Sequence, residues 1–278
     1  MTTPWWRLTI TGDPARSDAV AAVVVAITGN GVEEPRVGTV CTTLASEHDA
    51  TSLLARLDSE FSGLETTLEP VEPIDWSTRW RDGIVTRTFG RLILTPSWLP
   101  VAAGRNQVVM TIDPESAFGS GEHGSTRGAL ALLERHLRPD DHVLDLGSGS
   151  GILAIGAVKL GARSAIGIEV DDEAMPIAEA NAVRNDVQHA VTFLGGDAAD
   201  LAPLAGPADV LCANILRSVN TLLMPCIRRS LTANGIAIFA GMEDNEADLF
   251  GPVLRQHRFE AMDEVYDGGW WSVAAWRR

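Results

Sequence analysis

The segment VLDLGSGSGILA, residues 143–154, carries three glycines, Gly147, Gly149 and Gly151, with one serine between each and the next. Apolar residues come before them and an apolar helix-forming run follows. Glycine adopts backbone conformations that other residues avoid, and it lets a ligand approach the main chain closely. The segment therefore predicts a strand, a ligand-binding loop and a helix, and the chemistry depends on which ligand the loop accepts.

Phosphate-binding loops are a poor match to this segment. A P-loop needs a Gly-Lys-Ser/Thr step, which is absent, and the dinucleotide pattern G-x-G-x-x-G/A needs a small residue where the chain has Ile152. No lysine or arginine lies within the segment to meet a pyrophosphate. With Asp145 two residues before the first glycine, the loop suits a ligand with an amino-acid end, whose ammonium can meet carbonyl and carboxylate oxygens.

Two carboxylates follow at the ends of the next strand-like runs. Glu169 is placed to accept both hydroxyls of a ribose, and its charge would repel a 2′-phosphate. Together with the loop it indicates S-adenosylmethionine, whereas the simpler interpretation is a tight turn followed by a surface glutamate. Asp197 is placed either to meet the adenine amino group or to act as an ordinary loop aspartate.

The elements that must position these residues alternate between strand and helix from about residue 107. Strand-like runs occupy 142–146, 164–170, 190–197, 208–214 and 235–241, and a final pair is separated by Asp267-Gly268-Gly269, a hairpin signal. The predicted fold is α/β, with a Rossmann-like, doubly wound, mostly parallel sheet and a C-terminal antiparallel hairpin. This is the layout of class I methyltransferases.

The first part of the chain predicts a separate small α+β domain, residues 1–72, with ferredoxin-like order. Strands are expected at 5–11, 36–45 and 64–72, and helices at 15–29 and 49–61. Residues 73–106 are rich in tryptophan and proline and are expected to form a partly packed connector that buries Trp76, Trp80 and Trp98. Residues 107–278 complete the division as the cofactor-binding domain.

Longer motifs on both sides of the glycine loop resemble one family. IDPESAFGSGEHGSTRGAL (112–130), CANIL (212–216) and WSTRWRDGIVTRTFGRLILTPSW (76–98) are similar to segments of the bacterial PrmA-type enzymes, which methylate protein eleven of the large ribosomal subunit. The resemblance covers roughly residues 74–278. It implies cofactor contacts at Thr126, Gly147, Glu169 and Asn214, with Phe118, Gly119 and Gly121 shaping the same loop.

The chain departs mildly from the family pattern. Ser120 and Ser125 stand where threonine is usual, and Glu169 stands where many members have aspartate, so each keeps its hydroxyl or carboxylate. His123 matches the family histidine, for which a loop-stabilising hydrogen bond is favoured over a catalytic role.

Asn214 is the residue expected to take part in the chemistry. It ends the fourth strand of the parallel sheet, beside the switch point where ligands bind in such folds. Its side-chain oxygen can accept N–H groups of an incoming amine and so direct the nitrogen lone pair toward the sulfonium methyl group. A strand-end cap is the structural alternative.

The composition limits the partners. The net charge of −15 disfavours direct nucleic-acid binding and is compatible with a basic protein partner. The three cysteines, Cys41, Cys212 and Cys226, have no metal-ligand spacing, so no metal site is expected, and reduced thiols suggest the cytoplasm. The longest apolar run, 19–27, is too short to span a bilayer, so no membrane partner is expected.

The expected function is methyl transfer from S-adenosylmethionine to lysine side chains, an N-terminal amine, or both, of that ribosomal protein. By resemblance, the N-terminal domain recognises the substrate. Three alternatives stay open: a methyltransferase acting on another protein lysine or a small molecule, a cofactor-binding module without catalysis, and a nicotinamide-dependent oxidoreductase, which Ile152 disfavours.

Overall fold

The computed structural model describes residues 5–71, 81 and 83–278, and the chain divides into two compact units, 1–79 and 80–278. Trp76 and Trp80, expected to pack in the connector, lie outside the described residues.

The first unit is a four-stranded antiparallel sheet in the order β2-β3-β1-β4 with two helices. The strands are β1 (Trp5–Thr11), β2 (Glu33–Arg36), β3 (Thr39–Leu44) and β4 (Glu65–Val71), and the helices are α1 (Ser17–Thr28) and α2 (Glu47–Glu60). Gly29 ends α1 in a left-handed conformation, and the Ser46 hydroxyl accepts a hydrogen bond from the Asp49 amide to begin α2. Leu8, Ile10 and Leu53 lie in the core between sheet and helices.

One strand of this unit was not expected from the sequence. Residues 36–45 were predicted as a single strand, but Gly38, with φ +82°, turns the chain between β2 and β3. Every residue of β2 is exposed, and its sequence, EEPR, has none of the alternation that marks a half-buried strand. Charged residues and a proline are typical of an edge strand, which β2 is. The resulting βαββαβ order is ferredoxin-like.

The second unit contains a seven-stranded sheet in the order β10-β9-β8-β11-β12-β14-β13. Five neighbouring strands, from β10 to β12, are parallel, and the final hairpin adds antiparallel pairs. The strands are β8 (His142–Leu146), β9 (Ser164–Glu169), β10 (Val191–Gly195), β11 (Ala208–Asn214), β12 (Leu231–Glu243), β13 (Phe259–Asp267) and β14 (Trp270–Arg277). The predicted doubly wound sheet with a C-terminal antiparallel hairpin is confirmed. Gly268 and Gly269 both have positive φ, as a two-residue hairpin turn requires.

Helices cover both faces of this sheet. They are α3 (Gly124–His136), α4 (Ile152–Leu160), α5 (Ala174–Arg184), α6 (Ala198–Ala205), α7 (Arg217–Arg229) and α8 (Ala247–Gln256). Leu130, Leu153 and Ile238 belong to the core on one face, and Leu211, Met224 and Phe250 to the core on the other. Burial on both faces explains why the central strands are almost continuously apolar. No helix in the described part of the chain is long and apolar enough to cross a bilayer.

Part of the predicted connector is a small sheet within the second unit. β5 (Arg87–Phe89), β6 (Leu92–Thr95) and β7 (Val108–Thr111) pair in that order. Leu92 and Leu94 are buried in the same core as α3 and α4. Residues 87–111 are therefore part of the scaffold that positions the candidate site.

Candidate active site

The glycine loop between β8 and α4 is closely packed against the protein itself. Gly147, Gly149 and Gly151 all have positive φ, at +71°, +51° and +80°. A Cβ on Gly149 would lie 2.5 Å from the Phe118 carbonyl oxygen, and one on Gly147 would lie 2.6 Å from Ile215 Cγ2. These positions need glycine for internal packing and backbone conformation as well as for any ligand.

A second loop is hydrogen-bonded to the first. The Ser150 amide donates to the Phe118 carbonyl at 2.8 Å, and the Ser150 hydroxyl donates to the Gly119 carbonyl at 2.8 Å. The family-like segment 112–130 and the glycine loop therefore form one structural element. The resemblance implied that Phe118, Gly119 and Gly121 shape the cofactor loop, and the structure bonds the carbonyls of Phe118 and Gly119 to Ser150 of the glycine loop.

Glu169 closes the same element from β9. Its carboxylate accepts hydrogen bonds from the amides of Gly149 at 2.8 Å, Val170 at 2.9 Å and Asp171 at 3.1 Å. These bonds fix the carboxylate at the end of the strand. Oε1 already accepts two of these bonds and Oε2 one, so one of the four lone pairs, on Oε2, is left for a donor such as one ribose hydroxyl.

Asp145 is fully buried beneath the loop and is only partly hydrogen-bonded. The Ala154 amide donates to Oδ2 at 3.1 Å, whereas Oδ1 has no partner. Burial raises the pKa of Asp145 to about 7, the negative charge of Glu169 adds to the rise, and the Ala154 hydrogen bond opposes it. Cys212, its neighbour in register on β11, has a pKa raised by burial and by Asp145.

Asn214 ends β11 next to the glycine loop, because Ala213 and Leu146 are paired in register. Its side-chain Nδ2 donates to the Thr126 hydroxyl at 3.2 Å, and Thr126 is completely buried in the first turn of α3. The amide oxygen Oδ1 is buried without a hydrogen-bond partner. Thr126 thus holds the side chain through Nδ2, and the acceptor atom Oδ1 is left without a partner.

His123 lies between two aromatic rings at the start of α3. Its ring centroid is 4.1 Å from that of Trp270 and 5.4 Å from that of Phe118, which is 55% exposed. Nδ1 is 2.7 Å from the Ser125 hydroxyl oxygen. Burial, and then the charge of Arg127, lowers the pKa of His123. The contact with Ser125 is the kind of loop-stabilising hydrogen bond that the sequence favoured.

Asp197 is exposed and caps α6, accepting a hydrogen bond from the Ala199 amide at 2.8 Å. The neighbouring Gly196 amide donates to the Glu169 carbonyl at 2.8 Å, so Asp197 lies close to the end of β9. The cap accounts for an aspartate at this position. Its contact with adenine stays a prediction.

Three supporting residues were missed by the sequence analysis. Buried Asn181 donates to the carbonyls of Asp113 and Ser150, at 3.1 and 3.0 Å. Buried Asn220 donates to the Ile215 carbonyl at 3.0 Å. The only local signal for either is an asparagine among apolar helical residues.

Arg127, the third, joins the loop before α3 to the final hairpin. Its guanidinium makes two hydrogen bonds to the Asp267 carboxylate, at 2.6 and 2.7 Å, and a third to the Glu122 carbonyl. Glu122 is itself paired with Arg87. Hydrogen bonding and charge from Arg127 hold the pKa of Asp267 below its usual range.

The site fits a ligand that donates hydrogen bonds. Buried polar atoms normally have partners, yet Asp145 Oδ1, Ser148 Oγ and Asn214 Oδ1 have none, and all three are at or beside the glycine loop. Asn214 Oδ1 is an acceptor only, and Asp145 Oδ1 is an acceptor when its carboxyl group is ionised, which matches the ammonium end of S-adenosylmethionine or an incoming amine. Within the described residues, no group of three or more His, Cys, Asp or Glu side chains is placed to hold a metal.

The strand order, the glycine loop at β8 and the acidic residue ending β9 together define a class I methyltransferase. Comparison with known proteins makes the assignment more specific. Residues 30–278 match the family model for ribosomal protein L11 methyltransferase (PrmA). The chain therefore belongs to the ribosomal protein L11 methyltransferase family, whose members depend on S-adenosylmethionine.

Individual relatives agree with the family model. The chain is 37% identical to the ribosomal protein L11 methyltransferase of Thermus thermophilus over 210 residues, covering 76% of this chain and 80% of the other. It is 31% identical to that of Desulfitobacterium hafniense over 265 residues, covering 91% and 82%. The crystal structure of the ribosomal protein L11 methylase from Lactobacillus delbrueckii subsp. bulgaricus aligns with a TM-score of 0.63 at 30% identity, covering 69% of this chain and 98% of the other.

Proposed function

We propose that this chain transfers methyl groups from S-adenosylmethionine to amino groups of ribosomal protein L11, with Asn214 contacting the amine. The observation that carries the assignment of Asn214 is its geometry. The side chain is held by Thr126 through Nδ2, while Oδ1 is buried without a partner at the edge of the cofactor loop.

The main task for the protein is to present a neutral amine. A lysine with a pKa of about 10.4 is mostly protonated at neutral pH, and using the neutral form costs roughly 4 kcal/mol. A poorly hydrated pocket favours the neutral form. Asn214 Oδ1, by accepting one N–H, orients the nitrogen lone pair, and positioning of this kind supplies much of the rate.

The cofactor is held by the loops described above. Gly147, Gly149 and Glu169 surround its expected position, and Phe118 with Gly119 closes the loop on the side of segment 112–130. When bound, S-adenosylmethionine supplies an electrophilic methyl group on a sulfonium. No nucleophilic cysteine or histidine is required, which agrees with Cys212 being fully buried and with its raised pKa.

The first unit is proposed to recognise the protein substrate. Of the predicted connector, residues 73–106, the part from residue 87 onward belongs to the second unit. Truncation to residues 74–278 is expected to keep cofactor binding and to lose methylation of L11. Equal turnover by the truncated and full chains would contradict this role. We also place the reaction in the cytoplasm, on the basis of the ribosomal substrate and the three free, buried cysteines.

The test incubates the full chain with methyl-labelled S-adenosylmethionine and unmethylated L11, followed by intact mass and peptide mapping. A series of added methyl groups on lysine or N-terminal nitrogen is expected. Asn214→Ala should lower kcat by roughly 10²–10³-fold, by analogy with the loss of one oriented polar group. The control is Asn245→Ala, which removes an exposed amide outside the site. If the chain binds S-adenosylhomocysteine but transfers no methyl group to L11, the substrate assignment is wrong and the cofactor assignment stands.

A further inference from the structure

The short segment that follows Asn214 joins β11 to α7. β11 ends at Asn214 and α7 begins at Arg217, so Ile215 and Leu216 belong to neither element. Leu216 is the N-cap residue of α7, and its side chain makes no capping hydrogen bond. Contacts other than a helix cap therefore fix the backbone that follows Asn214.

Two glycines lie close against this segment. A Cβ on Gly241 would lie 2.5 Å from the Ile215 carbonyl oxygen and 2.8 Å from the Ile215 amide nitrogen. A Cβ on Gly147 would lie 2.6 Å from Ile215 Cγ2. Because β11 is between β8 and β12 in the sheet, Ile215 lies between the glycine loop and the end of β12. The segment thus has little free space on either side.

Asn220, in the first turn of α7, bonds to backbone groups on both sides of this segment. Its Nδ2 donates to the Ile215 carbonyl at 3.0 Å and to the Ala240 carbonyl at 3.2 Å. Ala240 is paired in register with Asn214. Since both partners are carbonyl oxygens, which only accept hydrogen bonds, the amide nitrogen must face them. One side chain therefore joins the residue after Asn214 to the residue that pairs with Asn214 on β12.

Asparagine is an unusual residue at this position of the helix. Asn220 is completely buried, and the same face of α7 continues with Leu223, Met224 and Ile227 in the apolar core. Asparagine has a lower helix propensity than leucine, and burial of an amide is costly unless its polar atoms are paired. An apolar side chain would suit the core better. Residues that break such local rules are expected mainly at functional sites.

Stability alone gives a weak reason for this asparagine. Asn220 Oδ1 is buried without a hydrogen-bond partner, and an unpaired buried acceptor offsets much of what the two Nδ2 bonds contribute. Two other buried asparagines are bonded at both ends of the amide. Asn181 Oδ1 accepts from the Asp113 amide at 3.0 Å, and Asn185 Oδ1 accepts from the Thr111 amide at 2.8 Å. The distinctive property of Asn220 is the place of its two partners, which flank Asn214.

We propose that Asn220 is a positioning residue for methyl transfer, which holds the main chain at Asn214 so that Asn214 Oδ1 meets the incoming amine. This inference rests on the proposed contact between Asn214 and the amine. Thr126 bonds the side chain of Asn214, and Asn220 bonds the backbone beside it. A displacement of about 1 Å at the reacting atoms can cost roughly 100-fold in rate, so a buried residue that touches no substrate can still control kcat.

The test compares Asn220→Leu with the parent chain in methylation of L11, using labelled S-adenosylmethionine at saturation and rapid quenching. Leucine has the same branching and the same number of side-chain heavy atoms as asparagine, and it removes both Nδ2 bonds. The rate of methyl transfer should fall about tenfold. The KM for L11 and the dissociation constant for S-adenosylhomocysteine should stay within about twofold, because neither binding step uses the direction of Asn214 Oδ1. Thermal stabilisation by S-adenosylhomocysteine verifies that the variant is folded.

The matched control is Ser230→Ala. Ser230 directly follows α7, at the end far from Asn214, and its completely buried hydroxyl donates to the Cys226 carbonyl at 3.0 Å. This variant also loses a buried hydrogen bond of the helix and should keep the parent rate. Equal losses of rate in Asn220→Leu and Ser230→Ala would show that general stability of α7 matters, and would overturn the positioning role.

A double-mutant cycle decides whether Asn220 acts through Asn214. In the Asn214→Ala background, Asn220→Leu should lower the rate by less than about twofold further. A full tenfold loss in that background, or an unchanged rate in the single variant Asn220→Leu, would overturn the inference and leave the role of Asn214 intact. A parent-like rate in Asn214→Ala would instead overturn the proposed amine contact itself, so the two failures are distinguishable.

Discussion

The two units of this chain differ in how far their buried polar atoms are hydrogen-bonded. In the described residues, all five buried side-chain oxygens that have no hydrogen-bond partner are in the second unit, and three of these belong to or adjoin the glycine loop. In the first unit, Gly29 and Gly63 have positive φ and open space around the position of a Cβ, whereas a Cβ on Gly38 would lie 2.8 Å from the Gly12 carbonyl oxygen. Gly147, Gly149 and Gly151 have positive φ and no such space.

In the described residues, the buried side-chain oxygens of the first unit have hydrogen-bond partners within the protein. Those at the glycine loop of the second unit would gain partners only from a ligand. The first unit is stabilised by helix caps and by a small apolar core. A partner would bind to its exposed surface. The second unit retains unpaired acceptors inside a rigid, closely packed loop. Such preorganisation is expected where the protein must bind a donor group and hold it in one position.

The largest effect is expected from the buried carboxyl group in the second unit. The pKa of Asp145 is raised to about 7 from 3.8. Protonated Asp145 therefore stabilises the folded state. This contribution is complete below the ordinary pKa of 3.8 and is lost as the pH rises toward 7. The free energy of unfolding of Asp145→Asn minus that of the parent is the quantity to compare. This difference should be larger at pH 8 than at pH 3.5 by roughly 4 kcal/mol. Denaturant unfolding across that range measures the difference, and a gap that does not change with pH would contradict the raised pKa.

Two glycine variants compare the loops directly. Gly149→Ala and Gly29→Ala both place a side chain at positive φ, which costs about 1 kcal/mol. Only the Cβ at 149 would also lie 2.5 Å from a backbone oxygen, so its total cost should exceed about 3 kcal/mol. Calorimetry gives the stabilities, and titration with S-adenosylhomocysteine should show weakened binding for Gly149→Ala alone. Equal behaviour of the two variants would show that the contact with the Phe118 carbonyl relaxes without cost.

The Arg127–Asp267 pair is expected to have a smaller effect, on turnover. Arg127→Lys keeps the charge and loses the paired hydrogen bonds that join the loop before α3 to the hairpin. We expect kcat for L11 to fall about tenfold, since Thr126, which holds Asn214, is the preceding residue. The matched control is Arg135→Lys on the same helix, which contacts Asp263 at an exposed position. A similar loss in both variants would remove the positioning role of Arg127.

The sequence was most informative where local pattern and burial agree. The strands at 142–146 and 208–214 are found at the predicted residues, because strands buried on both faces form short apolar runs with polar ends. The glycine loop was recognisable because its backbone conformation restricts residue type. Segment 112–130 was located by resemblance, and the hydrogen bonds that join it to the loop required the structure.

Other features depend on contacts between distant residues and leave little local trace. β2 is exposed and charged, and β6 is only four residues long within a segment rich in proline. Asn181 bonds to residues on two separate loops, so its role is invisible in its own helix.

The smallest effect tests whether the two units are independent in cofactor binding. Ser46→Ala removes the hydroxyl that accepts the Asp49 amide at the start of α2 and should cost about 1 kcal/mol of stability. Because the cap is in the first unit, the dissociation constant for S-adenosylhomocysteine, measured by calorimetric titration, should stay within about twofold of the parent value. A clear loss of affinity would mean that the order of α2 is transmitted to the glycine loop. The positions of the unpaired oxygens at the glycine loop would then depend on coupling between the units as well as on packing within the second unit.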